Sequence, residues 1–188
     1  MTQDLGYLSH VSVLASVLSR TTGPVLELGC GWGSTPLIHY MCRDRHVYTV
    51  ESNREWMENF RHYHRRTHYF RQVGHEEMSV ERLMKAWAHF AHEVCGGPVY
   101  WDVCFVDHTP GESRVPVIMA LRGRVRFFVA HDVEADIPPS GGNYGWKQLE
   151  GAFKHETIMR SIRPWTAVWS DTVEFRLEEK DEWPERSS

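Results

Sequence analysis

The chain has 188 residues, 41% hydrophobic and 24% charged, with a formal net charge of −4. That composition belongs to an ordinary globular domain, long enough for one sizeable core and too short for two. It excludes a disordered chain, contains no run of about 18 apolar residues to span a membrane, and gives no overall basic surface for nucleic acid.

The first residues, Met1-Thr-Gln-Asp-Leu5, lack the basic region of a secretory signal. The four cysteines, Cys30, Cys42, Cys95 and Cys104, show no paired spacing. Free thiols in a reducing cytoplasm are therefore expected. Residues 7–20 place Leu8, Val11, Leu14, Ala15 and Leu18 at helical spacing, and Thr21-Thr-Gly-Pro24 breaks the pattern. Val25-Leu-Glu-Leu28 is a short apolar strand running into Gly29, Gly31 and Gly33. Thr35 is the expected N-cap of the next helix, with Pro36 at its first position, where a missing N–H costs nothing.

Alternating glycines after a strand bring bare backbone close to a bound nucleotide, because no Cβ occupies the space. A dinucleotide fingerprint, G-x-G-x-x-G, would place its third glycine at position 34, which is Ser34. Glu27 lies two residues before the first glycine. Its charge opposes a pyrophosphate at the helix start and attracts an ammonium group, directly or through water.

After this loop, 35–43 reads as helix and His46–Glu51 as strand. Glu51, 24 residues after Glu27, ends that strand, where an acid accepts both hydroxyls of a ribose. A helix over 53–64, a strand over 68–73 and a helix over 79–94 follow, punctuated by Gly96-Gly-Pro98. Residues 99–107 are a nearly continuous apolar run, as in a buried parallel strand. A helix over 112–122, a strand over 125–130 and a helix over 145–156 come next. Residues 165–170 and 172–178 read as two strands of a hairpin. Such alternation makes a parallel sheet with helices on both faces.

The pattern E-x-G-x-G-x-G at Glu27–Gly33 resembles the first motif of the class I S-adenosylmethionine-dependent methyltransferases. The strand ends Val106-Asp107 and His131-Asp132 are similar to the small-molecule O-methyltransferase branch. The resemblance covers residues 24–178, and only its first motif is specific. It implies an α/β fold, a single-domain doubly wound sheet of seven mostly parallel strands with a C-terminal antiparallel hairpin. Residues 1–23 would be an N-terminal helix covering the cofactor cleft, 24–178 the methyltransferase core, and 179–188 a polar tail. Glu27, Gly29, Cys30, Gly31, Trp32, Gly33 and Glu51 would hold S-adenosylmethionine. His75 and Glu76 join them by place in the fold. The implied activity is methyl transfer to a hydroxyl or amine of a small molecule. The alternatives are an acceptor on RNA or protein, and a non-catalytic S-adenosylmethionine-binding partner subunit.

Ligands of open α/β sheets sit beyond the carboxyl ends of the strands, so Asp107-His108 and His131-Asp132 are the residues to inspect. Methyl transfer is an in-line displacement in which positioning dominates, and a hydroxyl nucleophile must also lose a proton. His131 is the expected base or orienting group, with Asp107 and Asp132 polarising it and His108 as the alternative base. A divalent metal on Asp107, His131 and Asp132 is a second, less favoured reading. Catechol-type methyltransferases hold Mg²⁺ at these strand ends. Here Thr109 stands where they have a second Asp, and His131-Asp132 where they have Asp-Asn. A histidine suits Mn²⁺, Fe²⁺ or Zn²⁺ better.

Residues 133–146 form a Pro/Gly-rich loop of the kind used as a lid, with Tyr144 and Trp146 as substrate contacts. Arg54, Arg61, His62, His64, Arg65, Arg66, His68 and Arg71 form a basic cluster with Tyr63 and Tyr69 interleaved. The solvated face of helix 53–64 explains it better than nucleic acid does, since Glu55 and Glu58 lace the same stretch.

Overall fold

Five short runs dominated by β-branched, aromatic and aliphatic residues become parallel strands. They are β1 (Val25–Leu28), β2 (Val47–Glu51), β3 (His68–Gln72), β4 (Trp101–Val106) and β5 (Val125–His131). β6 (His155–Met159) and β7 (Thr166–Ser170) add antiparallel, giving a seven-stranded sheet of order β3-β2-β1-β4-β5-β7-β6. The structure, a computed structural model, describes residues 8–75, 77–97, 99–134, 136 and 142–177. The 179–188 tail of the sequence reading lies outside them, as do residues 1–7 of its N-terminal segment.

The period of two along each strand divides the core. Leu26, Leu28, Cys104, Val106, Phe128 and Ala130 face α4 (Val80–Gly96) and α5 (Arg114–Leu121). Val25, Val47, Val103, Phe105, Phe127 and Val129 face α1 (Val11–Ser19) and α2 (Ser34–Met41). The strand order reverses between β1 and β4, which opens a crevice at their carboxyl ends. No helix among the described residues is long and apolar enough to cross a membrane.

Four local expectations are corrected. Helix 145–156 is instead a 3-10 turn, Trp146–Leu149, followed by β6. Gly145 and Gly151 take left-handed φ of 78° and 68°, which a helix does not allow. Trp146 inserts into the core against Trp169, with ring centroids 5.7 Å apart. The hairpin accordingly pairs β6 with β7, and residues 172–177 are irregular. Helix 53–64 is only α3 (Arg54–Glu58) and a 3-10 turn, Arg61–Tyr63, because Phe60 turns inward and is fully buried. Finally, Thr35 is not the N-cap of α2; Gly33 is, and Pro36 falls in the third helical position.

Candidate active site

A cleft of about 950 Å³ opens at the β1/β4 crevice, walled by Cys30–Ser34 on one side and by the ends of β4 and β5 on the other. This volume lies at the upper end of the range for small-molecule sites. Leu8 and His10, just before α1, also line it.

The three glycines of the loop do different work. Gly29 sits at φ +88°, and a Cβ there would lie 2.6 Å from the Asp107 carbonyl oxygen. It is needed for the turn itself and for close approach to β4. A Cβ on Gly31, which lines the cleft, would meet only Ser34 Oγ among the described residues, at 3.6 Å. A Cβ on Gly33 would press on Leu8 and His10 at 3.0 Å. Glu51 braces the loop from β2. Its Oε2 accepts from the Cys30 N–H (3.1 Å), while Oε1 accepts from the N–H groups of Ser52 (2.7 Å) and Asn53 (2.8 Å). Trp56 Nε1–H donates to the Cys30 carbonyl (2.7 Å), and Trp32, 61% exposed, stands edge-on to Trp56 at the rim.

Glu27 lies beneath the loop and does not line the cleft. The sheet register sets Glu27 opposite Thr49 on the α2 face. It is fully buried, accepting from Thr35 Oγ1 (2.9 Å) and sharing a 2.7 Å bond with Thr49 Oγ1. Thr35 Oγ1 in turn accepts the Gly31 N–H (3.0 Å). The chain continues from Thr49 Oγ1 to His39 Nε2 (3.1 Å), and from His39 Nδ1 to His68 Nδ1 (2.7 Å). It ends where His68 Nε2–H donates to the Cys42 carbonyl (3.0 Å). Three links join Glu27, Thr49, His39 and His68, and each needs one proton. With Glu27 ionised and both imidazoles neutral, Thr49 and His39 supply only two. The network therefore binds one extra proton, on Glu27 or on the histidine pair. Burial, partly offset by hydroxyl hydrogen bonds, raises the Glu27 carboxyl to about 7. Burial and the neighbouring His68 lower His39 to about 3.

The second wall is a charge cluster. Arg114, 4% exposed at the start of α5, donates Nε–H to the His108 carbonyl (2.8 Å) and Nη1–H to the His131 carbonyl (3.0 Å). Its Nη2 meets Asp107 Oδ1 (2.9 Å), and Nη1 meets Asp132 Oδ2 (3.3 Å). One buried guanidinium thus fixes the ends of both strands. Asp132 occupies left-handed space at φ +58°, uncommon outside glycine and typical of constrained functional turns.

His131 Nδ1 lies 3.3 Å from Asp107 Oδ2 and 3.6 Å from Asp132 Oδ1. Its Nε2 lies 2.9 Å from Ser9 Oγ, whose only proton goes to the Pro164 carbonyl (2.7 Å). Ser9 must therefore accept from Nε2–H, while Nδ1–H points at Asp107. In this arrangement His131 is a doubly donating imidazolium. Burial opposes that charge, but the Asp107 hydrogen bond and the charges of Asp107 and Asp132 raise its pKa above the ordinary value. For Asp107, burial acts upward, and His131 and Arg114 outweigh it to hold the carboxyl low.

Of the remaining expected site residues, Tyr144 lines the cleft beneath Arg114, whose guanidinium carbon is 5.0 Å from the ring centroid. Trp146 does not; it is buried and donates Nε1–H to the Asp132 carbonyl (3.0 Å). His108 turns into the core against Trp87, with ring centroids 4.1 Å apart, and burial keeps its pKa well below normal. Away from the cleft, it has no reach to an acceptor. His75 is exposed beside a smaller hollow with Arg54 and Gln72, and Glu76 lies outside the described residues. Within the expected lid, residues 135 and 137–141 also lie outside them. His68 leaves the basic cluster for the buried network.

Sequence reasoning gave no role to Ser9, His10, His39, Thr49 or Arg114. For His39 a signal existed: Thr35, Ile38, His39 and Cys42 form one helical stripe that is entirely buried, so its polar members required partners.

No protein-family model and no curated protein sequence matches the chain. Solved structures do. A Klebsiella pneumoniae protein assigned as an O-methyltransferase superposes with a TM-score of 0.60 at 13% identity, over 91% of this chain and 81% of that one. The chain has the class I methyltransferase fold. A Staphylococcus aureus protein assigned as a caffeoyl-CoA O-methyltransferase shares this methyltransferase fold with a TM-score of 0.59 and 11% identity, over 84% of this chain and 80% of that one. The fibrillarin pre-rRNA processing protein of Methanococcus jannaschii shares it at 0.54 and 14% identity, over 87% and 76%.

Proposed function

We infer that the protein is an S-adenosylmethionine-dependent methyltransferase acting on a hydroxyl or amine of a small molecule. The observation that carries this reading is the cleft at the β1/β4 crevice, with side-chain-free Gly31 on one wall and the Asp107–Arg114–His131–Asp132 cluster on the other. The cofactor fits these residues, because among the described residues a Cβ on Gly31 would approach no protein atom but Ser34 Oγ. When bound, S-adenosylmethionine supplies a methyl carbon for in-line attack, and the C–S electron pair returns to sulfur.

Glu51, Thr35 and Glu27 hold the glycine loop in shape, so the bound nucleoside meets a preformed backbone. Glu51, whose carboxylate braces the loop at Cys30 from the end of β2, accepts the ribose hydroxyls. Asp107, held ionised by His131 and Arg114, accepts the proton lost by the acceptor, and Asp132 stands beside it on the same guanidinium. His131, with both ring N–H groups engaged, orients Asp107 rather than abstracting that proton itself. The exposed indole of Trp32 and the Tyr144 ring offer apolar surface to the nucleoside and the acceptor.

Calorimetric titration with S-adenosylhomocysteine, with NAD⁺ in parallel, tests the reading. Micromolar binding of the first alone is expected. Binding of NAD⁺ alone overturns it. With an acceptor in hand, His131→Ala should lower kcat far more than cofactor affinity, and equal losses would make His131 a binding residue. Unchanged turnover in that variant would favour the partner-subunit reading.

A further inference from the structure

His10 differs from every other residue of the cleft wall. It is 3% exposed, and neither ring nitrogen has a hydrogen-bond partner among the described residues. A buried imidazole without partners is costly, and its position on the cleft wall points to a ligand that takes its lone pair.

The neighbouring groups supply the rest of such a site. The His10 ring stands edge-on to His131, with centroids 4.6 Å apart. One donor atom each from His10, Asp107 and His131 lie within 4.8 Å of one another. His131 Nδ1 and Asp107 Oδ2, 3.3 Å apart, already have the spacing of two ligands sharing an ion at roughly 2.0–2.2 Å. Across the ring, His131 Nε2–H is anchored on Ser9 Oγ (2.9 Å), itself tied to the Pro164 carbonyl. A metal-bound imidazole makes such an outer hydrogen bond, which fixes its tautomer and its orientation. Arg114 engages Oδ1 of Asp107, so Oδ2 faces His131 Nδ1, whose proton an ion would replace.

We propose that His10, Asp107 and His131 form a binding site for a divalent transition-series cation such as Zn²⁺. Two imidazoles and one carboxylate suit Zn²⁺, Fe²⁺ or Mn²⁺ better than Mg²⁺ or Ca²⁺, which prefer all-oxygen cages. Three protein ligands leave coordination positions open toward the cleft. The set differs from the one expected at the two strand ends: His10, contributed by the segment before α1, takes the place of Asp132, which Arg114 holds. On binding, the ion displaces the Nδ1 proton of His131 into solvent.

The test is calorimetric titration of chelator-treated protein with Zn²⁺, without any nucleoside, so its outcome is independent of the methyl-transfer reading. One equivalent should bind at micromolar affinity or tighter. His10→Ala and His131→Ala should each weaken it at least tenfold, while the exposed-histidine control His62→Ala should not. Electron paramagnetic resonance of the Cu²⁺-loaded wild-type protein should show hyperfine coupling to two imidazole nitrogens, a readout that needs no variant to fold. Zn²⁺ binding only in the millimolar range, affinity unaffected by His10→Ala, or a Cu²⁺ spectrum with fewer than two nitrogens would overturn the site.

Discussion

Single residues here separate loop shape from ligand space. Gly29 and Gly31 belong to the same motif, yet they should fail differently. Gly29→Ala forces a side chain into left-handed space against the β4 backbone. It should cost about 3 kcal/mol or more of unfolding free energy, read by urea denaturation. Gly31→Val meets little protein, so the melt should stay close to wild type while calorimetry detects no S-adenosylhomocysteine binding. Near-wild-type affinity in that variant would remove the loop from the cofactor site. Arg114 makes the opposite case, since nothing in the sequence gave it weight. Its replacement, Arg114→Met, strands two carboxylates and two carbonyls at the strand ends. Removing one partner of a buried pair costs about 3–5 kcal/mol, and the partial exposure of both aspartates favours the lower end. A loss below about 1 kcal/mol in chemical denaturation would show that the guanidinium is replaceable.

The elements explain why Glu27 was legible as important and misplaced in role. Alternation along β1 and the pairing of Glu27 with Thr49 turn the carboxylate onto the α2 face, out of the cleft lining. There it meets Thr35 and Thr49, with Ser34, Glu51 and Cys30 nearby and His39 and His68 further along the chain of bonds. A carboxyl raised from 4.5 to about 7 binds more protons folded than unfolded. Its contribution to stability is complete below pH 4.5 and is lost as the pH rises through 7. His39, lowered to about 3, acts in the opposite sense as the pH falls below 6.5. Glu27→Gln removes only the first effect. It also keeps the hydrogen bonds, because an amide can accept from Thr35 and donate to Thr49. The stability advantage of the Gln variant over wild type should therefore grow by on the order of 3 kcal/mol between pH 5 and pH 8. A difference constant across that range would mean that Glu27 titrates as an ordinary carboxyl.

At the scale of the molecule, closure of the sheet depends on an edge the sequence mislaid. β7 packs between β5 and β6, and Trp169 stacks on Trp146 and Phe153 while donating Nε1–H to Glu156 (2.8 Å). Trp169→Ala should cost about 3–5 kcal/mol. Its effect should include loosening of the cleft wall, since Trp146 holds the Asp132 carbonyl. Amide exchange along β6 and at Asp132 checks this: acceleration at both is expected, and acceleration at β6 alone would uncouple the hairpin from the site.

What the chain order determined is the layered sheet and the glycine turn that follows its first strand. The first follows from local periodicity and the second from Gly29, which takes a left-handed φ that residues with a side chain rarely adopt. Periodicity also misled, where a short amphipathic stretch at 145–156 read as helix although two left-handed glycines divide it. Asp107, His131 and Asp132 were legible because strand ends in such a sheet converge on one crevice. Only the tertiary structure decided that Glu27 and His108 face inward, that Arg114 ties β4 to β5, and that Ser9 and His10 meet His131 across 122 and 121 positions of chain. Those contacts depend on which face of a strand or helix is covered and by what, and no local pattern carries that information.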